Sequence, residues 1–160
     1  MIIKKLLLPK MDLINLGLFG LFIGTFLSAT LLPFPSDLLL IGVYEGGFPI
    51  IPSLIIATIG NFLGGITNYV IGYKGHTDKL VTMFKLNEQK LDKWEHKLNR
   101  WGIWLGLFSW VPFVGDPMVA ALGFFRVKFV PLSFLMLIGK FLRYLILTFF
   151  FVEGLDIYLP

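Results

Sequence analysis

Cysteine is missing from this 160-residue chain, which excludes disulfide bonds and thiol chemistry. Charge is scarce as well: charged residues make up 15% of the chain, against 56% for hydrophobic residues. A water-soluble domain of this length needs a more polar surface to cover its core. We therefore predict an integral membrane protein with a single domain over residues 1–160.

Histidine is nearly absent, since the chain has only His76 and His96. Two imidazoles without cysteine or a local cluster of acids make a poor metal site. The sequence also contains no nucleotide-binding, metalloprotease or serine-hydrolase motif. We predict no metal, no cofactor and no enzymatic activity.

The polar residues that remain are concentrated in a connector, residues 74–100, which contains seven of the 14 Lys and Arg residues. Acids interleave with these bases, which argues against nucleic-acid binding. Apolar residues recur at spacings of three and four, which predicts an amphipathic helix lying on the membrane surface or on the protein. These residues are Leu91, Trp94, Leu98 and Trp101.

The segment before the connector predicts two pieces of helix separated by a proline-rich break. Residues 13–32 form the first piece, and residues 37–45 form a second piece that is too short to span the bilayer. We expect Ser36 to cap the second piece, with Asp37 in its first turn. Together they predict a broken or re-entrant hairpin, which precedes a full-length span over residues 50–73.

The second half repeats this order and ends in a full-length span over residues 129–152. One constant shift along the chain, the repeat offset, places Pro33 on Pro112 and aligns eight identities without a gap. The others include Phe34 with Phe113, Asp37 with Asp116, Pro52 with Pro131 and Gly60 with Gly139. We predict repeat 1 over about residues 13–73, the connector over 74–100 and repeat 2 over about 101–152. The fold class is therefore an all-α membrane protein with an internal repeat.

Each predicted repeat is a hairpin plus one crossing helix, so the two repeats are expected to be inverted relative to each other. Both termini then lie on one side of the membrane and the connector on the other. The orientation stays open. Lys4, Lys5 and Lys10 favour a cytoplasmic N-terminus, whereas the larger number of bases in the connector favours a cytoplasmic connector.

Asp37 and Asp116 follow the two proline breaks, in segments that we expect to enter the bilayer. A carboxylate in hydrocarbon costs about 2.5–3.5 kcal/mol on insertion scales, so each acid needs a partner or a role. Two interpretations stay open: the acids bind a proton or a cation, or they only stabilise the start of a helix. Tyr44 and Glu45, near the hairpin end, are expected at the membrane interface.

Lys140 and Arg143 lie inside the last apolar run, one helical turn apart and therefore on one face. We predict that they bind an anionic headgroup, because arginine can hold a phosphate through two parallel hydrogen bonds. The alternative is a buried pair with Asp37 or Asp116.

Small and polar residues recur at spacings of three and four within residues 58–72. This stripe is typical of close helix packing through small residues, and it could also line a polar path. We predict that Asn61, Asn68, Ser109 and Tyr144 line such a path.

Four motifs carry a family resemblance. They are Pro33-Phe34-Pro35-Ser36-Asp37, Gly60-Asn61-x-x-Gly64-Gly65-x-x-Asn68, Ser109-Trp110-x-Pro112-x-x-Gly115-Asp116 and Gly139-Lys140-x-x-Arg143-Tyr144. With their surroundings, over about residues 20–150, they resemble the YqaA branch of the DedA family, whose members share the VTT (SNARE-associated Golgi protein) domain. The resemblance implies two opposed re-entrant hairpins and lipid translocation driven by an ion gradient, with undecaprenyl phosphate and phospholipids as substrates.

Several positions depart from the family pattern. Asp37 stands where typical members have a glutamate, and Ser109 and about Gly115 stand where they have arginines around the second Phe-x-Pro. The second acid of the family is also replaced. We infer that Lys140 and Arg143 supply the missing positive charge from a different helix.

The resulting prediction is a multi-pass protein of the bacterial inner membrane that carries an anionic lipid, such as a polyprenyl phosphate or a phospholipid. Its predicted partners are membrane lipids and a coupling proton or sodium ion, and a homo-oligomer is possible. Two alternatives stay open: a non-transporting scaffold in membrane homeostasis, and an integral-membrane enzyme acting on lipid phosphates.

Overall fold

The computed structural model describes residues 2–30, 35–75, 98, 101–112 and 114–158, and every regular element in these ranges is helical. Two stretches, Ile50–Lys74 and Phe129–Gly154, are long and apolar enough to cross a membrane, with mean hydropathies of 1.7 and 1.9. The prediction of an all-α membrane protein is therefore confirmed. Most of the predicted amphipathic helix of the connector and both histidines lie outside the described residues.

The helices are α1 (Ile2–Thr30), α2 (Ser36–Glu45), α3 (Ile50–Lys74), α4 (Gly115–Phe124) and α5 (Phe129–Tyr158), with a 3₁₀ turn over Gly106–Trp110 that continues the helical residues 101–105. Pro52, Pro117 and Pro131 lie in the first turns of α3, α4 and α5, where a missing N–H costs no hydrogen bond. The prediction that Ser36 caps α2 is wrong. Pro35 occupies that position, and no side chain makes a capping bond there.

The chain divides into two compact units, and unit 1 contains Met1–Asn61 and Phe141–Pro160. Within it α1 and α2 run antiparallel, because Gly17 lies against Phe48 and Gly24 lies against Leu39. The buried positions of α2 recur every four residues, which gives the helix one inward face. The core of unit 1 contains Leu21, Leu40, Tyr44, Leu54, Ala57 and Tyr144.

Unit 2 contains Phe62–Lys140 and has its own core. Gly102 lies against Leu122, and Gly115 lies against the backbone of Ser109, so the chain before α4 and α4 itself also form an antiparallel pair. The core of this unit contains Tyr69, Val119, Leu122, Val127, Leu132 and Met136.

The backbone after each short helix repeats at the same repeat offset that aligns the sequence. After α2, the backbone N–H groups of Gly46, Gly47 and Phe48 donate to the carbonyl oxygens of Gly42, Tyr44 and Val43, respectively. After α4, the N–H groups of Phe125, Arg126 and Val127 donate to the carbonyl oxygens of Ala121, Gly123 and Leu122, respectively. A positive φ also recurs at the matched position, 76° at Gly47 and 52° at Arg126. The two short helices and the turns that follow them therefore have the same local structure.

Candidate functional site

In unit 1, the carboxylate of Asp37 pairs with the guanidinium of Arg143. Asp37 lies in the first turn of α2, and Arg143 lies at the middle of α5. Their side chains are only 25% and 16% exposed, so the pair lies largely inside the protein. The acid that was predicted to bind a proton or cation and the base that was predicted to bind an anion are thus in direct contact.

A hydrogen-bond network surrounds this pair and centres on Ser36. The Tyr144 hydroxyl donates to the Ser36 hydroxyl at 2.7 Å, and the Asn61 amide lies 3.5 Å from the same oxygen. The Asn61 amide also reaches the carbonyl oxygen of Thr25 at 3.4 Å. Two predicted path residues, Asn61 and Tyr144, therefore meet at Ser36, the residue next to Asp37.

The far end of α2 has a second polar connection to α5. The hydroxyl groups of Tyr44 and Thr148 lie 2.8 Å apart, and the Thr148 hydroxyl also donates to the carbonyl oxygen of Tyr144 at 2.7 Å. Tyr44 is only 6% exposed, so its side chain packs inside the protein; its place at the membrane interface stays a prediction. Polar contacts hold α2 to α5 at both of its ends.

In unit 2, the ammonium of Lys140 pairs with the carboxylate of Asp116 at 3.1 Å. The Lys140 side chain is 2% exposed and that of Asp116 is 32% exposed. Gly65 of α3 makes room for the lysine, because a Cβ added there would lie 3.2 Å from its Cε atom. The acid is in the first turn of α4, as Asp37 is in the first turn of α2.

The other two predicted path residues also lie in unit 2. Asn68 is buried in α3, and Ser109 is buried in the 3₁₀ turn, where it packs against Gly115 next to Asp116. The Ser109 hydroxyl has no hydrogen-bond partner among the described residues, and neither does one carboxylate oxygen of Asp37. Buried polar atoms without partners are uncommon and often mark functional positions.

Close packing explains much of the small-residue stripe in α3. Gly60 lies against Thr25 and Phe22 in unit 1, and Gly72 lies against the backbone of Ala120 in unit 2. On the other side of the same contact, Gly123 of α4 lies against the backbone of Tyr69 in α3. The packing interpretation of this stripe therefore holds at these glycines.

The two bases lie deep in α5. Both are near the middle of the 26-residue apolar stretch Phe129–Gly154. At 1.5 Å per residue, each is about 16 Å along the helix from the nearer end of that stretch. Charges at such a depth are costly in hydrocarbon and generally pair with each other or face a polar cavity.

Sequence reasoning missed two members of the network in unit 1. Ser36 was assigned to a cap, and Thr148 was not singled out. Their positions gave a signal: Ser36, Leu40 and Tyr44 share one face of α2, and Tyr144 and Thr148 share one face of α5. Matching two such faces requires knowing which helices pack together.

Comparison with known proteins identifies one family model and several proteins of similar sequence. The VTT domain model matches residues 13–153. The chain is 37% identical over 145 residues to the inner membrane protein YqaA of Escherichia coli. This alignment covers 88% of the present chain and 94% of YqaA. It is 34% identical over 140 residues to an uncharacterized protein of Haemophilus influenzae, covering 81% and 83%. No solved structure gives a significant match.

The relatives and the helices agree on the location of the protein. YqaA is named as an inner membrane protein. Two helices of this chain are long and apolar enough to cross a membrane, so we assign the chain to the inner membrane. Because the VTT domain model matches most of its length, the chain belongs to the VTT domain family, also known as the DedA family.

Proposed function

We propose that this protein carries an anionic phospholipid or polyprenyl phosphate across the inner membrane and couples transport to a proton or sodium gradient. The observation that supports this most directly is the pair of acid–base contacts, Asp37 with Arg143 and Asp116 with Lys140. Each pair joins a short helix to a membrane-length helix. An ion that neutralises the acid would free the base to hold a phosphate, and loss of the ion would restore the pair.

An inverted repeat would supply the two alternating states of such a carrier. Two facts support this: the backbone after each short helix repeats at the repeat offset, and α2 and α4 have the same length of 10 residues. Ten helical residues extend about 15 Å, too short to cross about 30 Å of hydrocarbon. We therefore propose that the segments containing α2 and α4 enter the bilayer and return. Inverted repeats with broken helices are a common transporter design.

Transport in proteoliposomes tests the proposal. A fluorescent phosphatidylglycerol is placed in one leaflet, and its movement is followed with and without an imposed proton or sodium gradient. We expect Asp37→Asn and Arg143→Ala each to lower the gradient-dependent rate at least about tenfold, because each removes one partner of a switching contact worth over about 1.4 kcal/mol. Glu153→Gln is the matched control, since Glu153 is exposed and outside both pairs.

Normal transport by the double variant Asp37→Asn/Arg143→Ala, with its helical content intact, would contradict the assignment of these residues.

A scaffold without transport activity is the second candidate, because the same pairing would also suit a purely structural role. The charge-swapped variant Asp37→Arg/Arg143→Asp separates the two functions. A structural ion pair tolerates the exchange, whereas a carrier needs the acid and the base at their own positions. A swapped variant that replaces the natural protein in cells, while neither protein moves lipid in proteoliposomes, would favour the scaffold.

A further inference from the structure

Three exposed bases that take part in neither ion pair lie together at one end of unit 2. Lys74 ends α3, and Arg126 and Lys128 lie in the turn before α5. The Arg126 guanidinium lies 5.4 Å above the ring of Tyr73. The end of α3 and the turn before α5 therefore share one surface, the basic end, formed by Tyr73, Lys74, Arg126 and Lys128.

The matched turn in unit 1 has the opposite charge. At the repeat offset, Gly47 corresponds to Arg126, and Glu153 corresponds to Lys74. Glu45 adds a second exposed acid beside that turn. Because the two turns make the same backbone hydrogen bonds, the fold of the turn does not require either charge.

Arg126 occupies a position where the backbone favours glycine. Its φ of 52° lies in the left-handed region, and the matched residue in unit 1 is Gly47 with a φ of 76°. A side chain in this conformation is disfavoured, and such residues often persist for a functional reason. The turn itself therefore does not require an arginine at this position.

Each membrane-length helix has bases at one end and acids at the other. α3 follows Glu45 and ends at Lys74, and α5 follows Lys128 and passes Glu153 near its end. A helix that crosses the bilayer places these charges at opposite faces. Lys and Arg near the ends of spans favour the cytoplasmic side.

The rest of the chain adds to this unequal distribution of bases between the two ends. Lys74 of the basic end is also the first residue of the connector, which carries seven Lys and Arg residues; with Arg126 and Lys128, the basic end and the connector carry nine. The N-terminal part of α1 leaves near the turn after α2, because Gly17 lies against Phe48, and it carries three lysines. Nine bases against three favour a cytoplasmic basic end.

We propose that the basic end is the cytoplasmic surface of this protein and that it contacts anionic phospholipid headgroups of the cytoplasmic leaflet. That leaflet carries a negative surface potential, which attracts bases next to a membrane span. Arginine adds geometric fit, since its guanidinium can donate two parallel hydrogen bonds to a phosphate. None of the residues of the basic end is a proposed transport residue, and this lipid contact does not depend on transport.

Cysteine labelling tests the orientation, because the natural chain has no cysteine. Glu153→Cys and Lys128→Cys variants are treated with a membrane-impermeant maleimide. We expect labelling at Glu153→Cys in intact cells with a permeable outer membrane, and at Lys128→Cys only after the inner membrane is opened. The reverse pattern would overturn the proposal.

Thermal unfolding in phosphatidylcholine micelles tests the lipid contact. We expect phosphatidylglycerol to raise the unfolding temperature in a saturable way. Arg126→Gly should raise the phosphatidylglycerol concentration that gives half of this rise about fivefold, the effect of one base near an anionic surface. It should not lower the unfolding temperature in phosphatidylcholine alone. The matched control Glu45→Gln/Glu153→Gln should respond as the natural protein does. A full response in Arg126→Gly, or an equal response to inorganic phosphate, would overturn the proposal.

Discussion

At the residue scale, the two partners of the ion pair in unit 2 are buried to very different extents. The Lys140 side chain is 2% exposed, whereas that of Asp116 is 32% exposed. An ammonium that loses a nearby carboxylate in an apolar surrounding is strongly destabilised. A carboxylate with a third of its surface open can recover part of its solvation. Removing the carboxylate should therefore lower the stability more than removing the ammonium, although both changes break the same contact.

We predict that Asp116→Asn lowers the free energy of unfolding by about 3–5 kcal/mol, the usual range for breaking a buried pair. Lys140→Met should lower it by clearly less, because methionine fills a similar volume without a charge. The double variant should be more stable than Asp116→Asn alone. Denaturation by dodecyl sulfate in mixed micelles measures all three, and equal losses in the two single variants would show that burial does not decide the effect.

At the element scale, α3 and α4 approach so closely that side chains are excluded from their contact. A Cβ at Gly72 would meet the backbone of Ala120, and one at Gly123 would meet the backbone of Tyr69. Backbone atoms cannot move aside as the end of a side chain can. The matched contact between α2 and α5 is instead filled by side chains, including Tyr44 and Thr148.

We predict that Gly72→Ala destabilises the protein by about 1–3 kcal/mol through overpacking. Gly42→Ala is the matched control, because Gly42 is also helical and a Cβ there meets no other atom within 4 Å. Alanine should be neutral or stabilising at that position, since it favours helix over glycine by about 1 kcal/mol. Similar losses in the two variants, measured by the same denaturation, would contradict the packing argument.

The sequence predicted the elements better than their contacts. Prolines and the repeat offset predicted two short helices, each before a long helix, and α2 and α4 follow this pattern. The sequence also left open a pairing of the acids with Lys140 and Arg143. It could not decide which base meets which acid, because that depends on how helices pack. Ser36 was misassigned for the same reason: its hydroxyl bonds with Tyr144 and does not cap α2.

At the scale of the whole molecule, the boundaries of the two compact units are related by the same repeat offset as the turns after α2 and α4. One boundary lies between Asn61 and Phe62 and the other between Lys140 and Phe141, and the repeat offset again relates the two positions. Each unit therefore contains one short helix and about half of each of the membrane-length helices α3 and α5. Lys140 and Arg143 lie on either side of the second boundary, and each pairs with an acid of its own unit.

This division predicts where the proposed carrier must move. In unit 2, α4 contacts α3 through glycines and backbone, whereas in unit 1, α2 is held to α5 by side chains that can change partners. We therefore expect α2 to separate from α5 during transport. A short bifunctional thiosulfonate that joins Tyr44→Cys to Thr148→Cys should stop lipid transport, and a reductant should restore it.

The control for this experiment joins two cysteines on α5 alone, at the exposed residues Leu145 and Phe149. It reacts with the same reagent but leaves α2 free, so transport should continue. If the joined Tyr44→Cys/Thr148→Cys variant transports lipid at the rate of its reduced form, α2 does not move against α5. The exchange of partners at Asp37 would then have to occur with α2 held in place, by rotation of the Arg143 side chain alone.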